Sequence, residues 1–141
     1  MLQTSQKTQV DTVLRQARWL VMRDRYESAI LALNRGIQCG PCVQLYDYRG
    51  VVLSLQMRVE ESLASFTAAL NCTASSRERA AVYFHRGLLY GREEAYDQAL
   101  LDFTRAHHLA PADPTYREAI EQIKLERAVH ARDCIVAGEV P

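Results

Sequence analysis

The sequence predicts an all-α protein, an α-solenoid of about seven antiparallel helices, and three observations lead there. A motif recurs: Tyr46-x-x-Arg49-Gly50-x-x-Leu53, then Ser62-x-x-x-Phe66-x-x-Ala69, returns as Tyr83-x-x-Arg86-Gly87-x-x-Tyr90, then Ala99-x-x-x-Phe103-x-x-Ala106, with the two glycines 37 residues apart. Large apolar residues fall three and four apart on either side of short polar breaks, as paired amphipathic helices require. Helix-start signals stand where the pattern needs them, at Ser75 with Glu78 and at Asp113-Pro114.

The elements follow in order. A fainter copy of the motif opens the chain, Val13-x-x-Gln16-Ala17-x-x-Leu20 and then Ala29-x-x-x-Leu33-x-x-Gly36, closing at Pro41 and lying 33 residues ahead of the second copy. The break between its helices is Arg23-Asp24-Arg25, where Asp24 and Glu27 have the spacing of a capping box. The second and third pairs break at Gln56-Met57-Arg58 and Arg92-Glu93-Glu94. A seventh helix runs from about Pro114 to Arg132, with Tyr116, Ala119, Ile120 and Ile123 on one face. Gly50, Gly87, Ala69, Ala99 and Ala106 lack the bulk that would hold neighbouring helices apart. A glycine inside a helix costs about 0.8–1.0 kcal/mol relative to alanine, so its recurrence at one place implies close backbone approach.

Composition narrows the function. The 141 residues carry 17 basic and 17 acidic side chains, and 48% are hydrophobic, enough for a sizeable core and too apolar for a disordered or fibrous chain. Zero net charge disfavours duplex nucleic acid, whose affinity comes from neutralised phosphates. Arginine outnumbers lysine 15 to 2, and residues 1–40 carry six basic against three acidic groups, which suits contacts to carboxylates on a minority reading and a solvated helix surface on the plainer one. No run of about 18 apolar residues and no secretory leader is present, so the chain reads as cytoplasmic, without membrane insertion, and its four cysteines as free thiols.

These repeats resemble the tetratricopeptide repeat. Tyr83, Gly87, Tyr90, Ala99, Phe103, Ala106 and Pro111 fall on that family's spacing without a gap. In residues 43–76 the match is partial, with Leu53, Ser62 and Ala74 replacing an aromatic, an alanine and the closing proline. In the first copy, Val13, Ala17, Leu20, Ala29, Leu33, Gly36 and Pro41 keep the size pattern rather than the identities. The resemblance implies a single domain over 10–132, with repeats at about 10–42, 43–79 and 80–113 and a capping helix at 114–132, between a flexible 1–9 and a tail at 133–141.

The resemblance also implies a non-catalytic module whose first helices line a groove for a peptide or helix of another protein. The groove-facing places carry over onto Leu14, Arg15 and Arg18, onto Asp47, Tyr48, Val51 and Ser54, and onto Phe84, His85, Leu88 and Arg92. One subgroup of the family grips the terminal carboxylate of chaperone tails with lysine, asparagine and arginine. Here Leu14, Arg18, Tyr48, Ala81 and His85 stand at those places, which argues against that clamp. Cys39-Gly40-Pro41-Cys42 is spelled like a redox pair but follows a helix rather than a strand. Cys72 and Cys134 are isolated and the histidines lack zinc-ligand spacing, so no metal and no cofactor is expected. Trp19 is assigned to the core or to an end contact. The alternatives are a structural subunit of an axonemal, trafficking or secretion assembly and a dedicated secretion chaperone, with a homo-oligomer open in each case.

Overall fold

Polar breaks and apolar periodicity resolve into seven α-helices among residues 2–139, which the computed structural model describes: α1 Leu2–Val21, α2 Tyr26–Cys39, α3 Val43–Leu55, α4 Val59–Leu70, α5 Ser76–Arg92, α6 Tyr96–Leu109 and α7 Pro114–Val136. The described residues contain no strand. The chain divides into two compact units, Met1–Glu78 and Arg79–Pro141. Helix α1 begins at Leu2, so residues 2–9, expected as part of a flexible N-terminus, belong to the first helix. Helix α7 likewise runs four residues past Arg132.

In the first unit, Leu14, Ala17 and Leu20 of α1, Ala29, Ile30 and Leu33 of α2, and Leu45, Val52 and Leu53 of α3 form one apolar cluster. Gly50 then lets α4 approach α3. A Cβ there would lie 2.6 Å from Cε1 of Phe66. Ser62, which replaces the repeat's alanine, is buried, and its hydroxyl donates to the Gly50 carbonyl at 2.6 Å. Polar burial is tolerated because it is satisfied. The Arg49 guanidinium donates to Ser65 Oγ at 3.0 Å and to Asn34 Oδ1 at 2.9 Å, and lies 5.1 Å from the Tyr46 ring centre.

The second unit repeats this packing with a charge added. Gly87 lies under Phe103 as Gly50 lies under Phe66. Asp102, at the repeat place of Ser65, is 1% exposed and accepts a forked pair from Arg86, Nε to Oδ2 at 2.7 Å and NH2 to Oδ1 at 2.9 Å. That hydrogen bond, with the attraction of the carboxylate, holds the Arg86 proton more tightly than in a free guanidinium despite burial. Tyr116 and Ile123 of α7 pack against the α5 and α6 residues Ala80, Ala106, Ala99 and Phe103.

Helix starts divide into those the sequence signals and those it does not. Ser75 Oγ accepts from the Glu78 amide at 3.2 Å and Glu78 Oε2 from the Ser75 amide at 3.3 Å, a capping box. Asp113 caps α7 by accepting from the Thr115 amide at 2.9 Å. Asp24 is a correction. It has a φ of 57°, so it ends α1 rather than starting α2, whose cap position is Arg25. Met57 and Glu94 share this left-handed conformation, with φ of 60° and 58°. In each case the next amide reaches back to a carbonyl five residues earlier: Arg25 to Leu20 at 3.0 Å, Arg58 to Leu53 at 3.1 Å and Ala95 to Tyr90 at 2.9 Å. Three first helices thus close with a Schellman turn on a residue that is not glycine.

Candidate peptide-binding surface

The residues carried over as groove-facing separate into one set in each unit. In the first, Arg15 and Arg18 of α1 are exposed, while Asp47, Tyr48, Val51 and Ser54 of α3 are half-buried. The Arg18 guanidinium lies 5.6 Å from the Tyr48 ring centre, and Tyr48 rests on the apolar cluster below. Burial pushes the Tyr48 phenol up from its ordinary value, against the opposing pull of Arg18, so it stays neutral at physiological pH. Ser54 donates to the Val51 carbonyl at 2.7 Å. Leu14 departs from expectation. It is 7% exposed and belongs to the core, because a leucine at this place satisfies the apolar stripe that α1 turns towards α2 and α3.

In the second unit, Phe84 is taken up by an aromatic cluster, with ring centres 5.7 Å from Phe103, 5.5 Å from Tyr116 and 5.9 Å from His85. Leu88 is 50% exposed. With Arg92 it borders a cleft of about 180 Å³ whose far wall is Ala119, Gln122 and Glu126 of α7. Leucine, arginine, glutamine and glutamate around one opening offer an apolar seat with donors and acceptors at its edge. The contribution of α7 was not foreseen, because its apolar positions account only for the packed face. Gln122 and Glu126, one turn apart, are exposed, and the Gln122 amide donates to Glu126 Oε1 at 2.9 Å.

A larger cleft, about 380 Å³, opens among α1, α2 and the start of α3 and contains none of the carried-over residues. Trp19 also corrects its assignment. It is 49% exposed, with the Arg23 guanidinium 3.9 Å from its ring centre. Further apolar side chains, Leu125, Val129, Ile135 and Val136, are exposed along the second half of α7.

Cys39 is the last residue of α2 and Cys42 stands just before α3, with no side-chain capping bond, and both are free thiols, as are Cys72 and Cys134. Burial, and secondarily Cys42, raises the Cys72 thiol, which donates to the Ala68 carbonyl at 3.4 Å. Cys134 is less isolated than the spacing suggested: its Sγ lies 3.6 Å from Nε2 of His130, one turn earlier on α7. Among the described residues no group of three His, Cys, Asp or Glu side chains gathers as a metal would require. Nor is any helix of those residues long and apolar enough to cross a membrane.

No protein-family model matches this sequence, and no curated protein does. Solved structures do match. The second TPR domain of human RPAP3, determined by NMR in complex with the HSP70 peptide SGPTIEEVD, superposes with a TM-score of 0.70 at 21% identity, over 84% of this chain and 98% of that one. The TPR domain of Arabidopsis OM64 superposes with a TM-score of 0.68 at 16% identity, over 80% of this chain and 92% of that one. The chain therefore has the tetratricopeptide-repeat fold.

Proposed function

We propose that this protein is a non-catalytic interaction module that holds a peptide or helical segment of another protein against its first helices. The observation that carries the reading is Leu88. A half-exposed leucine beside Arg92, at the mouth of a cleft also lined by Gln122 and Glu126, is a place where a partner side chain would be desolvated and oriented together. Arg18 over Tyr48, with Arg15 one turn earlier, supplies a second anchor, of aromatic and arginine character. The RPAP3 domain, of the same fold, is a receptor for an HSP70 peptide. The carboxylate clamp does not extend to this chain: Leu14 lies in the core where a lysine would be needed, and Ala81 and His85 replace the other cations.

The test compares affinity purification with mass spectrometry for the wild type, Leu88→Ala/Arg92→Ala and Arg18→Ala. Partners recovered with the wild type should fall by tenfold or more with the double variant, whose melting temperature should stay near that of the wild type because both residues lie outside the core. An unchanged partner set across all three would place the binding face elsewhere. That outcome would favour the second reading, a structural subunit of a larger assembly, for which Trp19 and the apolar second half of α7 are the supporting observations.

A further inference from the structure

The 380 Å³ cleft of the first unit coincides with a residue that the other repeats have and the first lacks. In repeat register Val13 corresponds to Tyr46 and Tyr83, each four residues before the small residue Ala17, Gly50 or Gly87. Tyr83 packs against Ala80, Ala106 and Tyr116, and the guanidinium groups of Arg86 and Arg105 each lie 5.6 Å from its ring centre. Tyr46 has Arg49 at 5.1 Å. The first repeat keeps the surroundings without the ring. Arg35, in register with Arg105, lines the cleft, and so does Gln16, in register with Arg49 and Arg86. Val13 lies against Gly36, where a Cβ would meet its Cγ1 at 2.9 Å, so its short side chain turns to α2 and leaves the cleft open.

We propose that this cleft takes a tyrosine side chain from a partner protein, seated where Tyr46 and Tyr83 sit in the later repeats, with Arg35 over its ring. The floor, Val13, Ala32 and Leu45, is apolar, as a ring face requires. Arg35 supplies the cation for the ring's negative face, as Arg105 does for Tyr83. The rim favours a peptide-borne ring over a free aromatic molecule. Glutamine amides at Gln9 and Gln16 can pair with the main chain on either side of an anchor, whereas a lone phenol would leave them to water. The site is separate from the surface at Leu88 and Arg92, which lies in the other unit, so the two proposals stand or fall independently.

The test is a titration of the full ¹⁵N-labelled chain, followed by NMR, with a short capped peptide carrying one central tyrosine and with the same peptide carrying alanine. The tyrosine peptide should give saturable shifts at Val13, Ala32, Gly36 and Leu45, in the weak range that a single anchor reaches, and the alanine peptide none. Val13→Tyr, which restores the ring from within, should weaken the response at least tenfold. Arg35→Ala, an exposed change that keeps the test open should the former not fold, should weaken it two- to fivefold, the loss expected of an exposed cation–π contact. Equal responses to both peptides, or a response unaffected by either variant, would overturn the proposal. So would a wild-type dimer that Val13→Tyr dissociates, since the cleft would then be occupied by a second copy.

Discussion

Alanine at Gly50 sets a local gain against a packing cost, and the structure decides between them. Removing a glycine from a helix interior contributes about 0.8–1.0 kcal/mol in favour of the folded state. The new Cβ, however, would lie 2.6, 2.8 and 2.9 Å from three ring atoms of Phe66, which is 1% exposed. Ordinary contact begins at 3.4 Å, so the ring must retreat by about 0.8 Å (3.4 − 2.6) or the α3–α4 backbones must separate. Overpacking of this kind costs about 1–3 kcal/mol, and more where nothing can yield. Phe66 is 1% exposed, so its ring cannot swing into solvent; the upper half of that range applies and the net loss is about 1–2 kcal/mol. Urea denaturation should show the midpoint falling without a change in slope. Gly50→Ala/Phe66→Leu should recover about 1 kcal/mol relative to the sum of the single changes, since the two residues share one contact. Gly91→Ala is the control: its Cβ would lie 3.1 Å from Ile123 Cδ1, the end of a side chain bordering the second-unit cleft, and 4.0 Å from Ala99 Cβ. It should be neutral or slightly stabilising. A Gly50→Ala protein as stable as the wild type would refute the reasoning that these glycines exist to bring helices together.

Other perturbations test other parts. Asp102→Ala should cost about 3–5 kcal/mol by leaving Arg86 without its partner, whereas Asp102→Ser, copying Ser65, should lose distinctly less; equal losses in thermal melts would contradict the forked pair. Met57→Gly should stabilise by about 0.5–1 kcal/mol, because Met57 is exposed and holds a φ of 60° that a side chain disfavours; a loss on chemical denaturation would show that its side chain does more than the turn requires. The Glu61 carboxyl is held below its ordinary value by its hydrogen bond and attraction to Arg58. Its stabilising share is therefore complete above the unfolded carboxylate's pKa, near 4.5, and is lost as pH falls through the lower folded value. Glu61→Gln should therefore be slightly less stable than the wild type at neutral pH and converge with it on the acid limb, which flattens the profile there; parallel profiles would remove the pair from the account.

What the sequence made legible follows from the length scale of each signal. The seven helices, the close approach at Gly50 and Gly87 and the caps at Ser75 and Asp113 rest on local spacing and its recurrence, where residue type and geometry are tightly linked; that Phe66 and Phe103 lie over those glycines came from the structure. The polar breaks marked where these helices end, but the left-handed turns at Asp24, Met57 and Glu94 were invisible because none is the glycine or asparagine that announces one. Asp24 even carried a misleading sign, the spacing to Glu27. The site was less legible than the fold. Leu14 and Phe84 carry side chains that suit a groove or a core equally well; the packing of α1 takes Leu14 into the interior, while Phe84 is half-buried against the aromatic cluster. Trp19 went the other way, because Arg23 stacks on its outer face and the core is complete without it. The buried Asp102 lay hidden because nothing local couples it to Arg86, sixteen residues earlier.

The most direct test of the interaction surface is hydrogen exchange by mass spectrometry on the full chain, with and without a partner segment recovered by affinity purification. The account predicts protection in α1 and α3 around Arg15, Arg18 and Tyr48 and in α5 around Leu88 and Arg92, with the second half of α7 unchanged. Protection confined to Leu125–Val136, with those first helices exchanging as in the free protein, would contradict it.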